Sequence, residues 1–332
     1  MNILMTCASG GIIINDIIAL KNKFKNSRIY GADQNPKKNL IRYCDKFFKV
    51  PKGDNKNYVS KILEICKKYK ISVIIPRSDE EAINLSKEKK KIEKAGIKIP
   101  INDFNKLKIL NDKIATYKKI NKVSNFSLKW QIIRSLKEIN EIENFLNKNK
   151  FCVLKPSISR GGRNIFHLSD KFSYKKKRRE TVTNFKNFKK KYLKNLKNKF
   201  PLILMERLYD PVFDLDLLGN KGRYVFHVLR RRVDSRDPNS GHLIEGKKLW
   251  LESKKIAKFL IKNFNLDGLY DCDLMLDKRK KFKILEINPR MSGSVAVCKK
   301  ANIPILEHML DNLNNNKIKK INLIPKYTKI LL

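Results

Sequence analysis

Between Leu269 and Arg290 the chain spells out two strands and the turn that joins them. Leu269-Tyr270-Asp271-Cys272-Asp273-Leu274-Met275-Leu276 alternates with a period of two, which suits a half-buried strand and not a helix. A basic turn at 278–281 follows, then Phe282-Lys283-Ile284-Leu285-Glu286-Ile287-Asn288, halted by Pro289, which has no N–H to give a ladder. The pattern predicts a hairpin with Asp271 and Asp273 on one face and Cys272 and Leu274 on the other. If the turn is symmetric, Asp273 lies opposite Glu286 and Asp271 opposite Asn288. Carboxylates facing each other at about 5 Å repel unless a cation lies between them. Oxygen donors alone select Mg²⁺ or Mn²⁺ over zinc. Asp273, Glu286 and Asn288 are therefore candidate metal ligands, and Arg290 follows the strand end within reach of a phosphate. An ordinary exposed strand face, its acids meeting nearby lysines, accounts for the same residues equally well.

Upstream, the pattern alternates strand and helix. Residues 2–7 read as a short buried strand, Ser9-Gly10-Gly11 as a turn, the run to Leu20 as a helix, and 27–32 as a second strand ending at Asp33. The third glycine of G-x-G-x-x-G is missing, so the dinucleotide signal is weak. Helical spacing returns at 58–69, and the strand 71–75 ends in Pro76-Arg77-Ser78-Asp79-Glu80-Glu81. Such alternation predicts a parallel sheet whose carboxyl ends carry a site. Ser78 and Asp79 sit at one such end, where they can contact a substrate or simply open a helix. After Pro100 the pattern is helical, through Asn111-Asp112-Lys113 and a helix near 136–147, and strands dominate from 151.

The strand 151–154 runs through Lys155-Pro156 into Ser157-Ile158-Ser159-Arg160-Gly161-Gly162-Arg163 and a second strand, 165–168. Paired glycines let backbone amides approach phosphate oxygens, and the lysine and arginines supply the charge a polyphosphate needs. A later strand, 202–208, ends in Glu206-Arg207-Leu208, an edge that can offer polar groups to a base; strands ending this way are also commonplace. Segments 212–218 and 223–233 predict a hairpin about the turn 219–222, with Asp214 and Asp216 on one face. Arg230 and Arg232 in its second strand either clamp a carboxylate or are solvated strand ends.

Together these pieces resemble the ATP-grasp superfamily, in the branch of the carbamoyl-phosphate synthetase large subunit and biotin carboxylase. The resemblance covers nearly the whole chain, and Leu285-Glu286-Ile287-Asn288-Pro289-Arg290 is its most specific part. It implies a mixed α/β and α+β chain: a Rossmann-like pre-ATP-grasp domain (1–100), a small lobe with a helical linker (101–202) and a large lobe (203–332). By the same resemblance Lys113 and Lys155 contact ATP phosphates, Gly161 and Gly162 close over them, and Glu206 and Leu208 hold adenine. Asp273, Glu286 and Asn288 hold Mg²⁺ (or Mn²⁺), while Lys155 and Arg290 are catalytic. The sequence departs from the family in three places. Ile158 and Arg160 intrude in the flap, Val212 stands where relatives carry a ribose-binding Glu, with Asp214 as its substitute, and the first metal position is Asp273 where Glu or Gln is common. The implied activity is ATP-dependent joining of a small-molecule carboxylate to an amine, with room for a homodimer.

Charge leaves a competing reading. Lys and Arg number 75 against 32 acids, a net charge of +43, which draws anions. The abundance of Lys alongside Asn and Ile fits AT-rich codon usage, so the total names no partner. The segment 171–199 is the densest in lysine and reads as a solvated helical excursion; with Phe185, Phe188 and Tyr192 interleaved, a nucleic-acid groove is the alternative reading. An NAD(P)-dependent oxidoreductase built on the N-terminal unit is a third. Six scattered cysteines with no zinc spacing suggest thiols in a reducing cytoplasm, and no stretch reaches the roughly 18 apolar residues of a membrane span.

Overall fold

A computed structural model describes all residues except 11, 123–125, 160–162, 170–179, 236, 315–322 and 331–332, with the backbone alone at 238–239. The chain forms two compact units, one built from 1–110, 213–273 and 287–332, the other from 111–212 and 274–286.

The first unit opens with strands β1 (Asn2–Met5), β2 (Arg28–Asp33), β3 (Lys46–Lys49) and β4 (Val73–Ile75), all parallel, in the order β3–β2–β1–β4. Ile3, Leu4 and Met5 are completely buried, as a strand in a sheet covered on both faces requires. The intervening helices Ile13–Lys23 and Tyr58–Lys68 bury Ile13, Ile17 and Leu20, and Val59, Ile62 and Cys66, at helical spacing. Strand order reverses between β1 and β4, so their carboxyl ends, at Thr6 and Arg77, flank a switch point.

In the second unit, β5 (Trp130–Ile133), β6 (Cys152–Pro156), β7 (Phe166–Leu168), β8 (Thr181–Thr183) and β9 (Leu202–Glu206) order as β5–β9–β6–β7–β8. Only the β7–β8 pair is parallel among these. Here the solvated-excursion expectation needs correction for its described part. Residues 181–183 join the sheet, and the helix Phe185–Lys191 drives Phe185 and Phe188 into a core with Leu154, Phe166 and Leu204. The aromatics are spaced i, i+3, so both face inward while Lys186, Lys189 and Lys190 stay exposed. They are therefore not available as stacking platforms for bases.

The remaining strands, most of whose residues belong to the first unit, are β10 (Tyr209–Asn220), β11 (Arg223–Asp234), β12 (Asp237–Ile244), β13 (Gly268–Leu276), β14 (Phe282–Asn288) and β15 (Thr328–Ile330), ordered β14–β13–β10–β11–β12–β15. One core joins this sheet to the parallel one, uniting Ile3 and Ile17 with Phe226, Trp250 and Met309. The turn of the β10–β11 hairpin is tighter than the four-residue turn expected. Asn220 pairs with Arg223, leaving Lys221 and Gly222 as a two-residue loop, both at positive φ (47° and 77°). That backbone matches the right-handed twist of the strands, and a register shift after Leu218 absorbs the difference.

His227 on β11 is fully buried, stacked on Trp250 with ring centroids 4.7 Å apart, its Nδ1 2.8 Å from Tyr224 Oη and its Nε2 3.0 Å from Ser253 Oγ. Burial pushes its pKa down to about 3. A folded-state value below the unfolded one, about 6.5, means that stability is intact above pH 6.5 and falls as pH drops toward 3, by about 4 kcal/mol for this group alone. Urea denaturation of wild type at pH 7 and pH 4.5 should show about 3 kcal/mol of that loss, and the pH slope should flatten in His227→Gln. An unchanged slope in the variant would remove His227 as its source.

Candidate functional site

The charged residues of the first unit collect on one face of the antiparallel sheet because period-two alternation on paired strands puts them there. Asp214 and Asp216 lie on β10, and the ladder sets Asp214 beside Arg230 on β11. Arg230 is fully buried. Its Nε and Nη2 grip Asp216 at 2.6 and 3.0 Å, and Nη1 donates to Ser294 Oγ (2.9 Å) and His242 Nδ1 (3.2 Å). It is neither a solvated strand end nor an open fork. Arg232, two residues on, holds Asp214 through Nε (2.9 Å) and Nη2 (2.6 Å), and the same Nη2 reaches Asp273 Oδ1 at 3.0 Å.

β13 brings Asp271 and Asp273 to this face. Its start is fixed by Gly268, at φ +115°, where a Cβ would stand 2.2 Å from the Pro100 carbonyl oxygen, and by Tyr270 Oη, which donates to Asn102 Oδ1 at 2.6 Å. Asn288 Nδ2 donates to Asp271 Oδ2 at 2.8 Å, the neighbour that a symmetric hairpin predicts. Arg290 Nη1 donates to the same oxygen at 3.2 Å, while its Nε pairs with Asp79 at 3.0 Å. Ser78 opens the helix Asp79–Lys87, its Oγ accepting from Glu81 N at 3.4 Å.

Oxygens of Asp214, Asp271 and Asp273 lie within 4.8 Å of one another. Burial works to raise the Asp214 pKa, but Arg232 and Arg230 outweigh it and hold the carboxyl below its usual range. Asp271 has the opposite balance. Burial and then Asp273 and Asp214 push its pKa well up, with Arg290 the opposing cation. Asp271 Oδ1, moreover, is buried and accepts no hydrogen bond. An all-oxygen donor set with an orphaned carboxylate oxygen fits a hard divalent cation.

The second unit assembles another group. Asp112 caps the helix Lys113–Asn121, accepting from Ile114 N at 2.9 Å and from Ser157 Oγ, so the helix start is tied to the residue just past β6. Lys113 N also donates to Ser157 O at 3.1 Å. Lys113 and, on β6, Lys155 are both buried. Lys113 Nζ donates to Ser159 O at 2.9 Å and pairs with Glu286 at 3.0 Å. Tyr117 Oη donates to Leu285 O, and Ile284 N to Phe126 O at 3.0 Å, holding the Glu286 segment in place. Glu206 closes β9, its Oε1 accepting from Lys129 N at 2.8 Å, and Leu208 is buried beyond it. The flap glycines Gly161 and Gly162 lie outside the described residues.

Sequence reasoning named Asp273, Glu286 and Asn288 as one set. The structure groups Asp273 with Asp214 and Asp271, sets Asn288 on Asp271, and pairs Glu286 with Lys113. The Asp216–Arg230–His242–Ser294 cluster was missed, although Arg230 and Arg232 alternate on β11 just as Asp214 and Asp216 do on β10.

Three family models match consecutive parts of the chain: "PylC-like, N-terminal domain" over 4–100, "YheC/D like ATP-grasp" over 101–224 and "ATP-grasp in the biosynthetic pathway with Ter operon" over 198–330. The carbamoyl phosphate synthase large chain of Clostridium acetobutylicum is 20% identical over 273 residues, 80% of this chain. The chain spans 24% of that protein's length and 53% of another curated relative's. Among solved structures, a biotin carboxylase–β-γ-ATP complex from Campylobacter jejuni superposes with a TM-score of 0.76 at 15% identity, covering 98% of this chain and 73% of that one. An L-amino acid ligase from Bacillus licheniformis gives 0.67 at 11%, covering 96% and 77%.

Proposed function

The chain belongs to the ATP-grasp superfamily, and from that premise we propose that it is an ATP- and Mg²⁺-dependent ligase. In this reading it activates a small-molecule carboxylate as an acyl phosphate for attack by an amine, joining them through a C–N bond and releasing ADP and phosphate. Segments 1–100, 101–202 and 203–332 serve as the pre-ATP-grasp domain and the small and large lobes. The observation that carries the reading is Lys113 Nζ 3.0 Å from Glu286, a cation suited to phosphate beside a carboxylate suited to its metal. The L-amino acid ligase likeness supports the choice of carboxylate and amine.

Lys113 and Lys155 bind the phosphates, Gly161 and Gly162 take the role of the flap glycines, Glu206 and Leu208 receive adenine, and Asp214 substitutes for the family's ribose-binding acid. Asp273, Glu286 and Asn288 would hold Mg²⁺, which when bound offsets charge on the transferring phosphoryl group. Lys155 and Arg290 align that group and neutralise it. Ser78, Asp79, Arg230 and Arg232 form the substrate side. Arg232, held by Asp214 and Asp273, is the guanidinium assigned to the substrate carboxylate, and Arg230 holds Asp216 in place.

The test is ADP release with Mg²⁺ across a panel of carboxylates and amines. A matched pair should stimulate release in wild type, and Glu286→Gln should lower turnover about 10²-fold or more, in line with loss of one charge-stabilising group. Equal turnover would remove Glu286 from the metal site. Failure of calorimetry to detect MgATP binding to wild type would overturn the ligase reading itself.

A further inference from the structure

We infer that Asp214, Asp271 and Asp273 form a divalent-cation site that loads without nucleotide, with Arg232 as the cation that competes for it. Two observations meet here. Three buried carboxylates converge, each offering an oxygen within 4.8 Å of the others. Independently, Asp271 is 4% exposed and its Oδ1 has no hydrogen-bond partner, while Oδ2 is taken by Asn288 Nδ2 and Arg290 Nη1. A carboxylate oxygen carries two lone pairs, and leaving it unmatched in the interior is costly unless a cation takes it.

Hydrogen bonding within the cluster does not serve Asp271 Oδ1. Arg232 divides its Nη2 between Asp214 Oδ1 (2.6 Å) and Asp273 Oδ1 (3.0 Å), and Arg290 is shared with Asp79. Oxygen-only ligation of this kind takes a hard ion, Mg²⁺ or Mn²⁺, in preference to zinc. Two of the three ligands already carry the Arg232 guanidinium, so the ion and the guanidinium compete for the same oxygens. When the ion binds, the Arg232 fork is released from Asp214 and Asp273 toward the substrate side. Asp214 and Asp271 lie outside the set Asp273, Glu286 and Asn288 assigned to the nucleotide's metal, so the two sites share one ligand. The inference uses the ligase reading only for what the released Arg232 would meet; cation binding itself does not need it.

The experiment is a titration of the full chain with Mn²⁺ alone, without nucleotide, followed by the loss of the free-ion EPR signal and, separately, by thermal shift. Wild type should bind about one Mn²⁺ that no nucleotide accompanies. Asp271→Asn, an isostere that keeps the volume, should weaken binding at least about tenfold. Arg232→Gln should tighten it by removing the competitor, a gain of affinity that misfolding cannot imitate. Glu286→Gln, which should lower turnover about 10²-fold or more under the ligase reading, should leave nucleotide-free Mn²⁺ binding unchanged. The inference is overturned if wild type takes up no Mn²⁺ at millimolar concentration, if Asp271→Asn binds as wild type does, or if Glu286→Gln loses the ion. None of these results depends on whether MgATP binds, so the two proposals fail separately.

Discussion

Arg230→Met is expected to destabilise the first unit by about 3–5 kcal/mol, enough to lower its thermal midpoint by roughly 10 °C. Methionine fills much of the volume, so packing is not the main loss. The cost comes from Asp216, which has no exposed surface and receives two of the guanidinium's hydrogen bonds. Left alone, that carboxylate is a buried anion. The second arm of the test is Arg230→Met with Asp216→Leu, which removes both charges and should recover most of the loss, because well-packed apolar residues often replace a buried ion pair at little cost. If the double variant is as unstable as the single one, the cause lies with His242 or Ser294 and not with the orphaned acid. Thermal melts of the three chains decide it.

Lys155→Met is expected to lower kcat/KM by about 10²- to 10³-fold, with the loss carried by both nucleotide affinity and turnover. Lys155 is buried on β6, and a methionine there should leave the melting temperature of the ligand-free chain within a few degrees of wild type. The stabilisation that MgATP confers on wild type should disappear, since a ligand raises stability only by what it binds to the folded state. A variant that still responds to MgATP as wild type does would exclude Lys155 from the phosphate contacts.

The parts of the fold legible in the sequence are those with a clean period. β1 and its following helix, the helix Tyr58–Lys68 and the β13–β14 hairpin follow from spacing alone, and the hairpin's symmetry correctly set Asn288 beside Asp271. Charge concealed the rest. Asp214, Asp216, Arg230 and Arg232 read as a strand pair with one wet face, because a single sequence gives the alternation but not what covers that face. In the structure it is covered, and Arg230 and Asp216 are among the most buried residues of the chain. In the segment 181–199 the abundance of lysine hid an i, i+3 aromatic pair that was itself a core signal. The pairing of Glu286 with Lys113 joins residues 173 positions apart, and no local pattern reports such a contact.

The second unit borrows residues 274–286 from far along the chain. During synthesis, Lys113 and Lys155 are joined to the chain 173 and 131 residues before Glu286. Until then the partly built unit carries the lysines without the carboxylate. Under the ligase reading, a growing polypeptide therefore stays incompetent until Glu286 has been added, and fragments truncated before that residue should not acquire partial activity.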